Sequence, residues 1–136
     1  MFLLDTNVVS ELRKAAKADP HVRRWAAAVA PSVLFLSAIS VLELELGVLL
    51  AERRDPRQGA VLRSWLESRV LPAFDDRILP IDTAVARRCA ILHVPNPRSD
   101  RDALIAATAL VHGLTVVTRN TADFPPSVPL LNPWRP

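Results

Sequence analysis

The chain is poor in the residues that build covalent scaffolds and phosphate loops. Its one cysteine, Cys89, rules out an internal disulfide and leaves no thiolate pair for a metal, which agrees with a reducing compartment. Cys89 reads as a small buried hydrophobe. The three histidines, His21, His93 and His112, are scattered, so a zinc site is disfavoured. With only three glycines there is no glycine-rich phosphate loop, and neither Gly-x-Ser-x-Gly nor His-Glu-x-x-His occurs. No apolar run approaches the ~20 residues that cross a bilayer, and no basic segment leads into an apolar stretch with a cleavage site. The expectation is a cytoplasmic protein without a membrane partner. No repeat or low-complexity segment appears.

What is present is a compact-domain composition: half of the residues are hydrophobic and 23% are charged. A length of 136 residues fits one domain, 1–136, with a single core.

Along the chain, short apolar runs alternate with helical patterns. "FLLD" reads as a strand, followed by a helix that Thr6 or Asn7 could cap and that carries Val8, Val9 and Leu12 on one stripe. Asp19-Pro20 starts a second helix through "HVRRWAAAVA". "VLFLS" is a strand with no polar interruption before its end, as expected where both faces are covered. "SAISVLELELGVLLAERRD" is a long helix ended by Asp55-Pro56, and "RQGAVLRSWLESRVLPAF" has helical spacing. "ILPI" is a short strand, and "DTAVARRCAILHV" is a helix capped by Asp82. "PNPRSD" is a loop by its prolines. "DALIAATALVHG" is a helix with Gly113 just past its end, and "LTVVT" is a strand directly behind it. The proline-rich tail leaves room for an edge strand at Val128 to Leu131. Strands separated by helices imply an α/β fold: a three-layer αβα sandwich around a mostly parallel sheet of four or five strands.

In such folds ligands bind beyond the carboxyl ends of the strands. Asp5 is the first residue off the first strand. Its competing use is to cap the helix behind it, and alone the two readings weigh alike. Glu43 lies early in the helix after the second strand, on the face that carries Gly47 one turn later. A mid-helix glycine costs about 1 kcal/mol relative to alanine, and space beside a carboxylate would be a reason for it. Ser40 and Glu43 also fit a Ser-x-x-Glu capping box, as Ser99 and Asp102 fit the same spacing at the next site. Glu45 and Glu52 fall on other faces and read as solvated. Asp100 is a second-rank candidate. Asp123 follows the fourth strand in "TRNTADF", beside Thr118 and Asn120; its plain alternative is a turn aspartate.

Four independent caps account poorly for acids at four strand ends. If Asp5, Glu43, Asp102 and Asp123 converge, two carboxylates about 4 Å apart repel by roughly 4 kcal/mol at an effective dielectric near 20, and a cation must offset that. All-carboxylate donors favour a hard ion, Mg²⁺ or its substitute Mn²⁺. Setting those four acids aside raises the formal charge of the rest of the chain from +3 to +7. Arg13, Lys14, Lys17, Arg23 and Arg24 form one basic cluster, Arg53, Arg54 and Arg57 another, with Arg87, Arg88, Arg98, Arg101 and Arg119 further along. An acidic pocket in a basic surround suits metal-assisted hydrolysis of a phosphodiester. The competing reading of the charge is an ordinary solvated surface.

"LLDTNVVSEL", "ISVLELELG", "DRDALIAATALVHGLTVVTRNTADF" and "PLLNPW" together resemble, in order and over essentially the whole chain, a PIN-domain protein of the VapC/FitB type. That family is the toxin half of bacterial type II toxin–antitoxin pairs. The resemblance implies a Mg²⁺-dependent endoribonuclease on an αβα sandwich, usually a homodimer, silenced by a small antitoxin whose C-terminal segment wraps the toxin. It implies that Asp5, Glu43 and Asp102 are the metal ligands and that Asp123 occupies the fourth acidic position. Some relatives carry an acid where this chain has Asn120. Thr6, Asn7, Thr118 and Asn120 would orient the carboxylates. Apolar residues on more than one face of Val41 to Leu50 and Val61 to Val70, Trp65 included, leave a face for a partner or for packing within the domain. The alternative class is a PIN-like module that binds RNA or protein without cutting it.

Overall fold

The computed structural model describes residues 1–135. Its elements are β1 (Phe2–Leu4), α1 (Thr6–Leu12), α2 (Pro20–Ala28), β2 (Leu34–Ser37), α3 (Ala38–Arg54), α4 (Pro56–Trp65), α5 (Leu71–Ala73), β3 (Ile78–Leu79), α6 (Thr83–Leu92), α7 (Asp100–His112), β4 (Thr115–Val117) and β5 (Leu130–Leu131). A π-helical turn, Leu66–Val70, joins α4 to α5 without a break in the chain's helical course. All five strands are parallel, in the order β3-β2-β1-β4-β5. The tail strand is shorter than Val128 to Leu131 and lies at an edge, where the prolines before it need give no ladder N–H.

The strands bury alternate side chains on opposite faces. Leu4, Leu34, Leu36 and Val117 point to one core, with Val8, Val9, Leu44, Val48 and Leu66 from the helices. Leu3 and Val116 point to the other, against Ile105, Ala106 and Ala109 of α7. α6 packs on α7 through Val85, Cys89, Ala103 and Ala107. The result is a sandwich with α1 to α5 on one side of the sheet and α6 and α7 on the other. Cys89 is buried, as expected, and burial pushes its thiol pKa up. Among the described residues no helix is long and apolar enough to cross a membrane.

Local chemistry sets most boundaries. Asp19 and Asp55 each cap a helix whose first residue is proline, and Asp82 caps α6. Gly113, at φ 68°, ends α7 in the left-handed region that favours glycine. Two expectations fail at α3. The capping-box alternative at Ser40 fails, because the helix starts where its pattern does and Ser37 is the N-cap, its hydroxyl oxygen accepting the Ile39 N–H. A Cβ on Gly47 would meet nothing within 4 Å, so Gly47 does not make room for Glu43. Helical side chains lean toward the N-terminus, which takes Glu43 away from the turn that holds Gly47. The tight glycine is Gly59, whose added Cβ would collide with the Glu52 backbone where α4 crosses α3. Glu45 and Glu52 are not simply solvated; both pair with Arg63 of α4, at 2.6 and 3.2 Å.

The strand order also positions the chemistry. The chain winds outward through β1, β2 and β3, then returns to place β4 on the other side of β1. That reversal leaves a crevice outside the carboxyl ends of β1 and β4.

Candidate active site

Asp5 stands in that crevice. Its backbone N–H donates to the Val117 carbonyl at 2.9 Å, fixing the end of β1 against β4. The side chain is 7% exposed and accepts three hydrogen bonds. The Thr6 N–H donates to Oδ1 at 2.8 Å, the Thr118 hydroxyl to Oδ2 at 2.8 Å, and the Asn7 amide to Oδ2 at 3.3 Å. Asp5 is therefore both the cap of α1 and a member of the site; the two uses share one carboxylate.

Glu43 enters from α3. The Thr6 hydroxyl donates to its Oε1 at 2.7 Å and lies 3.2 Å from the hydroxyl of the fully buried Ser40. The Ser40–Glu43 spacing thus brings both residues to Thr6 instead of closing a capping box. Arg101 Nη1 approaches the other Glu43 oxygen at 3.7 Å. Asp102 lies in the first turn of α7, whose Ser99 occupies the N-cap position without a side-chain cap bond.

Asp5, Glu43 and Asp102 line one cavity of about 490 Å³, together with Thr6, Asn7 and Asn120. Arg13, Lys14 and Arg119 stand at its rim. The Asn120 N–H donates to the Thr118 hydroxyl oxygen at 3.0 Å, which holds the loop after β4 against the site. Asp123 sits outside the cavity wall in a 3₁₀ turn, Thr121–Asp123, yet its charge acts on both Asp5 and Asp102. Asp100 goes elsewhere: its side chain is 90% exposed, 3.4 Å from His93 Nε2.

Burial is the main force raising the Asp5 pKa, and Glu43 and Asp123 add to it against the hydrogen bonds from Thr118 and Thr6. Asp102 is raised by burial first, then by Asp5, Asp123 and Glu43. Beyond burial, each of these two carboxyls feels the charge of the other acids around the cavity. The donor set fits a hard divalent cation by its chemistry, three carboxylates on one cavity. Among the described residues, however, no three His, Cys, Asp or Glu groups close on a common point. The acids surround the cavity without clasping it.

Three residues near the acids acquire roles that the sequence did not suggest. In the sequence Ser40 is only a candidate cap, and Arg101 only part of the basic surround. Trp134, on the tail, lines the acidic cavity, and Arg119 stacks over its ring at 5.5 Å. Its signal was the "PLLNPW" tail, which gave no reason to bring it to the strand ends. Trp65, in contrast, packs against the core.

Comparison with known proteins gives concordant results. Residues 2–125 match the PIN domain family. The chain is 40% identical over 142 residues to "VapC ribonuclease Y4jK" of Sinorhizobium fredii, covering 100% of this chain and 99% of the relative. It is 40% identical over 141 residues to "Toxin FitB" of Neisseria gonorrhoeae, covering 98% and 99%. Among solved structures, FitAcB from Neisseria gonorrhoeae superposes with a TM-score of 0.91 at 39% identity, over 100% of both chains. A toxin-antitoxin complex from Klebsiella pneumoniae gives a TM-score of 0.71 at 26% identity, over 98% of each chain.

Proposed function

The chain belongs to the PIN-domain family, and on that premise we propose that it is a Mg²⁺-dependent endoribonuclease, the toxin of a type II toxin–antitoxin pair. The observation that carries this reading is the shared cavity of Asp5, Glu43 and Asp102, with the pKa values of Asp5 and Asp102 both raised. Relatives of nearly full-length coverage bear the names ribonuclease and toxin.

Asp5, Asp102 and Glu43 would hold the cation, with Asp123 adding negative charge from just outside. When bound, Mg²⁺ or its substitute Mn²⁺ supplies polarisation of the scissile phosphate and an acidified water. The chain's own groups do the rest. Thr118, Asn7 and the Thr6 N–H fix both oxygens of Asp5, while the Thr6 hydroxyl fixes Glu43, so the acidic wall is oriented before substrate arrives. Arg13, Lys14 and Arg119 draw the RNA backbone to the rim, where phosphate contacts supply affinity independent of sequence. Asn120 braces the Thr118 hydroxyl through its backbone N–H.

A protein partner fits the opposite chemistry on α3. Leu42, Leu46, Leu49 and Leu50 are exposed there, and Val61 is exposed on α4. Such a stripe is costly to leave in water and suits an antitoxin helix or a second copy of the chain. A homodimer and a larger toxin–antitoxin assembly follow from the same reading.

The test is cleavage of structured RNA by protein freed of its partner, first in Mg²⁺, then in EDTA, with Asp5→Asn as control. Cleavage abolished by both treatments is expected. RNA cut equally well in EDTA, or by the substituted protein, contradicts the mechanism. Binding of RNA without cleavage by the unsubstituted protein in Mg²⁺ favours the non-cutting module, a reading to which the unclasped acids lend their weight.

A further inference from the structure

We propose that Arg119, backed by the ring of Trp134, forms a stacking platform for one unpaired nucleobase of the substrate, beside the acidic cavity. The proposal rests on the ribonuclease reading for the identity of the polymer. Its geometry stands independently. Arg119 Cζ lies over the indole, 5.5 Å from the Trp134 ring centroid, and Arg119 is exposed. A second cavity of about 440 Å³ adjoins the acidic one, sharing Arg119, Asn120 and Trp134 and adding Asn132, Arg135 and Asp19. That volume accommodates a nucleotide.

The platform is tied to the acids through short links. The Arg119 N–H donates to Asn7 Oδ1 at 3.4 Å, and the same Asn7 amide reaches Asp5. On the other side, Asn132 Nδ2 donates to the Arg119 carbonyl at 3.5 Å, and Asn132 Oδ1 accepts the Trp134 N–H at 2.9 Å. The loop after β4 and the tail after β5 are thereby joined at one fixed distance from the acidic wall. Asp19, the one carboxylate in this second cavity's wall, has Oδ1 committed to the N–H groups of His21 and Val22. Among the described residues Arg119 is in no ion pair, so its charge is available to a ligand, while Lys14 and Arg101 have Glu11 and Glu43 beside them.

A guanidinium plane flanked by an aromatic ring, next to amide side chains, is how proteins take splayed single-stranded bases. Of the three tryptophans, Trp134 lines the acidic cavity while Trp25 and Trp65 line others. RNA is favoured over a peptide here because the platform shares its wall with the acids and its free group is cationic and planar.

The experiment is fluorescence anisotropy with a set of labelled single-stranded RNA hexamers, one intact and the others each abasic at one position. The protein is Asp102→Asn in EDTA, a background that lacks one repelling carboxylate and a proposed ligand. This protein is expected to bind the intact hexamer and to lose on the order of tenfold with one abasic hexamer. Arg119→Gln and Trp134→Ala in the same background should bind the intact hexamer about tenfold more weakly and treat it like the abasic ones; Trp134→Phe should restore the discrimination. Arg119 is exposed, so its variant reports even if Trp134→Ala proves unstable. Equal binding of intact and abasic hexamers by the Asp102→Asn protein, or no binding at all, overturns the platform. Discrimination without Mg²⁺-dependent cleavage by the unsubstituted chain would support the platform while the ribonuclease reading falls.

Discussion

The Thr118 hydroxyl donates to Asp5 Oδ2 at 2.8 Å, joining the end of β4 to the end of β1 across 113 residues of sequence. Both residues are buried, and the same hydroxyl oxygen accepts the Asn120 N–H. Thr118→Val keeps the shape and removes the donor. Asp5 then loses the largest influence lowering its pKa, and the loop after β4 loses its anchor. We expect divalent-cation affinity to fall about 10- to 100-fold, read by Mn²⁺ titration, with the fold retained by circular dichroism. Unchanged affinity would mean that Asp5 needs no such orientation.

Carboxylates whose folded pKa is raised hold their protons more tightly in the native chain than in the unfolded one. As pH rises from the ordinary aspartate value of 3.8 through the raised values of Asp5 and Asp102, the unfolded state deprotonates first and the metal-free fold loses stability. Melting in EDTA should therefore show the unsubstituted protein falling behind Asp102→Asn as pH rises through that window, a comparison in which Glu11, whose pKa is lowered and whose contribution has the opposite sign, cancels. Asp102→Asn should raise the Tm at pH 7 and flatten this decline, because its raised pKa already includes whatever the α7 N-terminus contributes. Saturating Mn²⁺ should reverse the order of the two proteins at pH 7. A Tm difference between the two proteins in EDTA that stays constant with pH across the same range contradicts the gathering of these acids.

The glycines of α3 and α4 should respond oppositely to alanine. Gly59→Ala drives a methyl group against the α3 backbone at Glu52 and should cost about 1–3 kcal/mol in urea unfolding. Gly47→Ala meets open space and should stabilise the chain by up to about 1 kcal/mol through helix propensity. Equal effects would place the α3–α4 contact elsewhere.

Much of this architecture was legible because short-range chemistry writes it. "FLLD", "VLFLS" and "LTVVT" announce strands by apolar continuity, and Asp-Pro pairs announce the starts of α2 and α4. Asp5 was legible as an acid just beyond a strand end; Glu43 and Asp102 lie early in α3 and α7 and reach the same crevice because those helices start at the carboxyl edge of the parallel sheet. Long-range geometry was not legible. No local pattern distinguishes Ser40 as a cap from Ser40 as a partner of Thr6, because that choice depends on where α1 crosses α3. Gly47 and Gly59 each read alike as a helical glycine, and only the crossing of α3 and α4 separates them. Trp134 sits two elements and 16 residues past Thr118, so its arrival at the acidic cavity depends on the route of the tail past β5.

The most direct test of the acidic gathering is calorimetric titration of Mn²⁺ at pH 6 and 7, each in two buffers of different ionisation enthalpy. One binding event that releases protons, more of them at pH 6, and that Asp5→Asn abolishes, is the predicted result. No binding event, or full affinity in the Asp5→Asn protein, would show that these carboxylates do not act together on a cation.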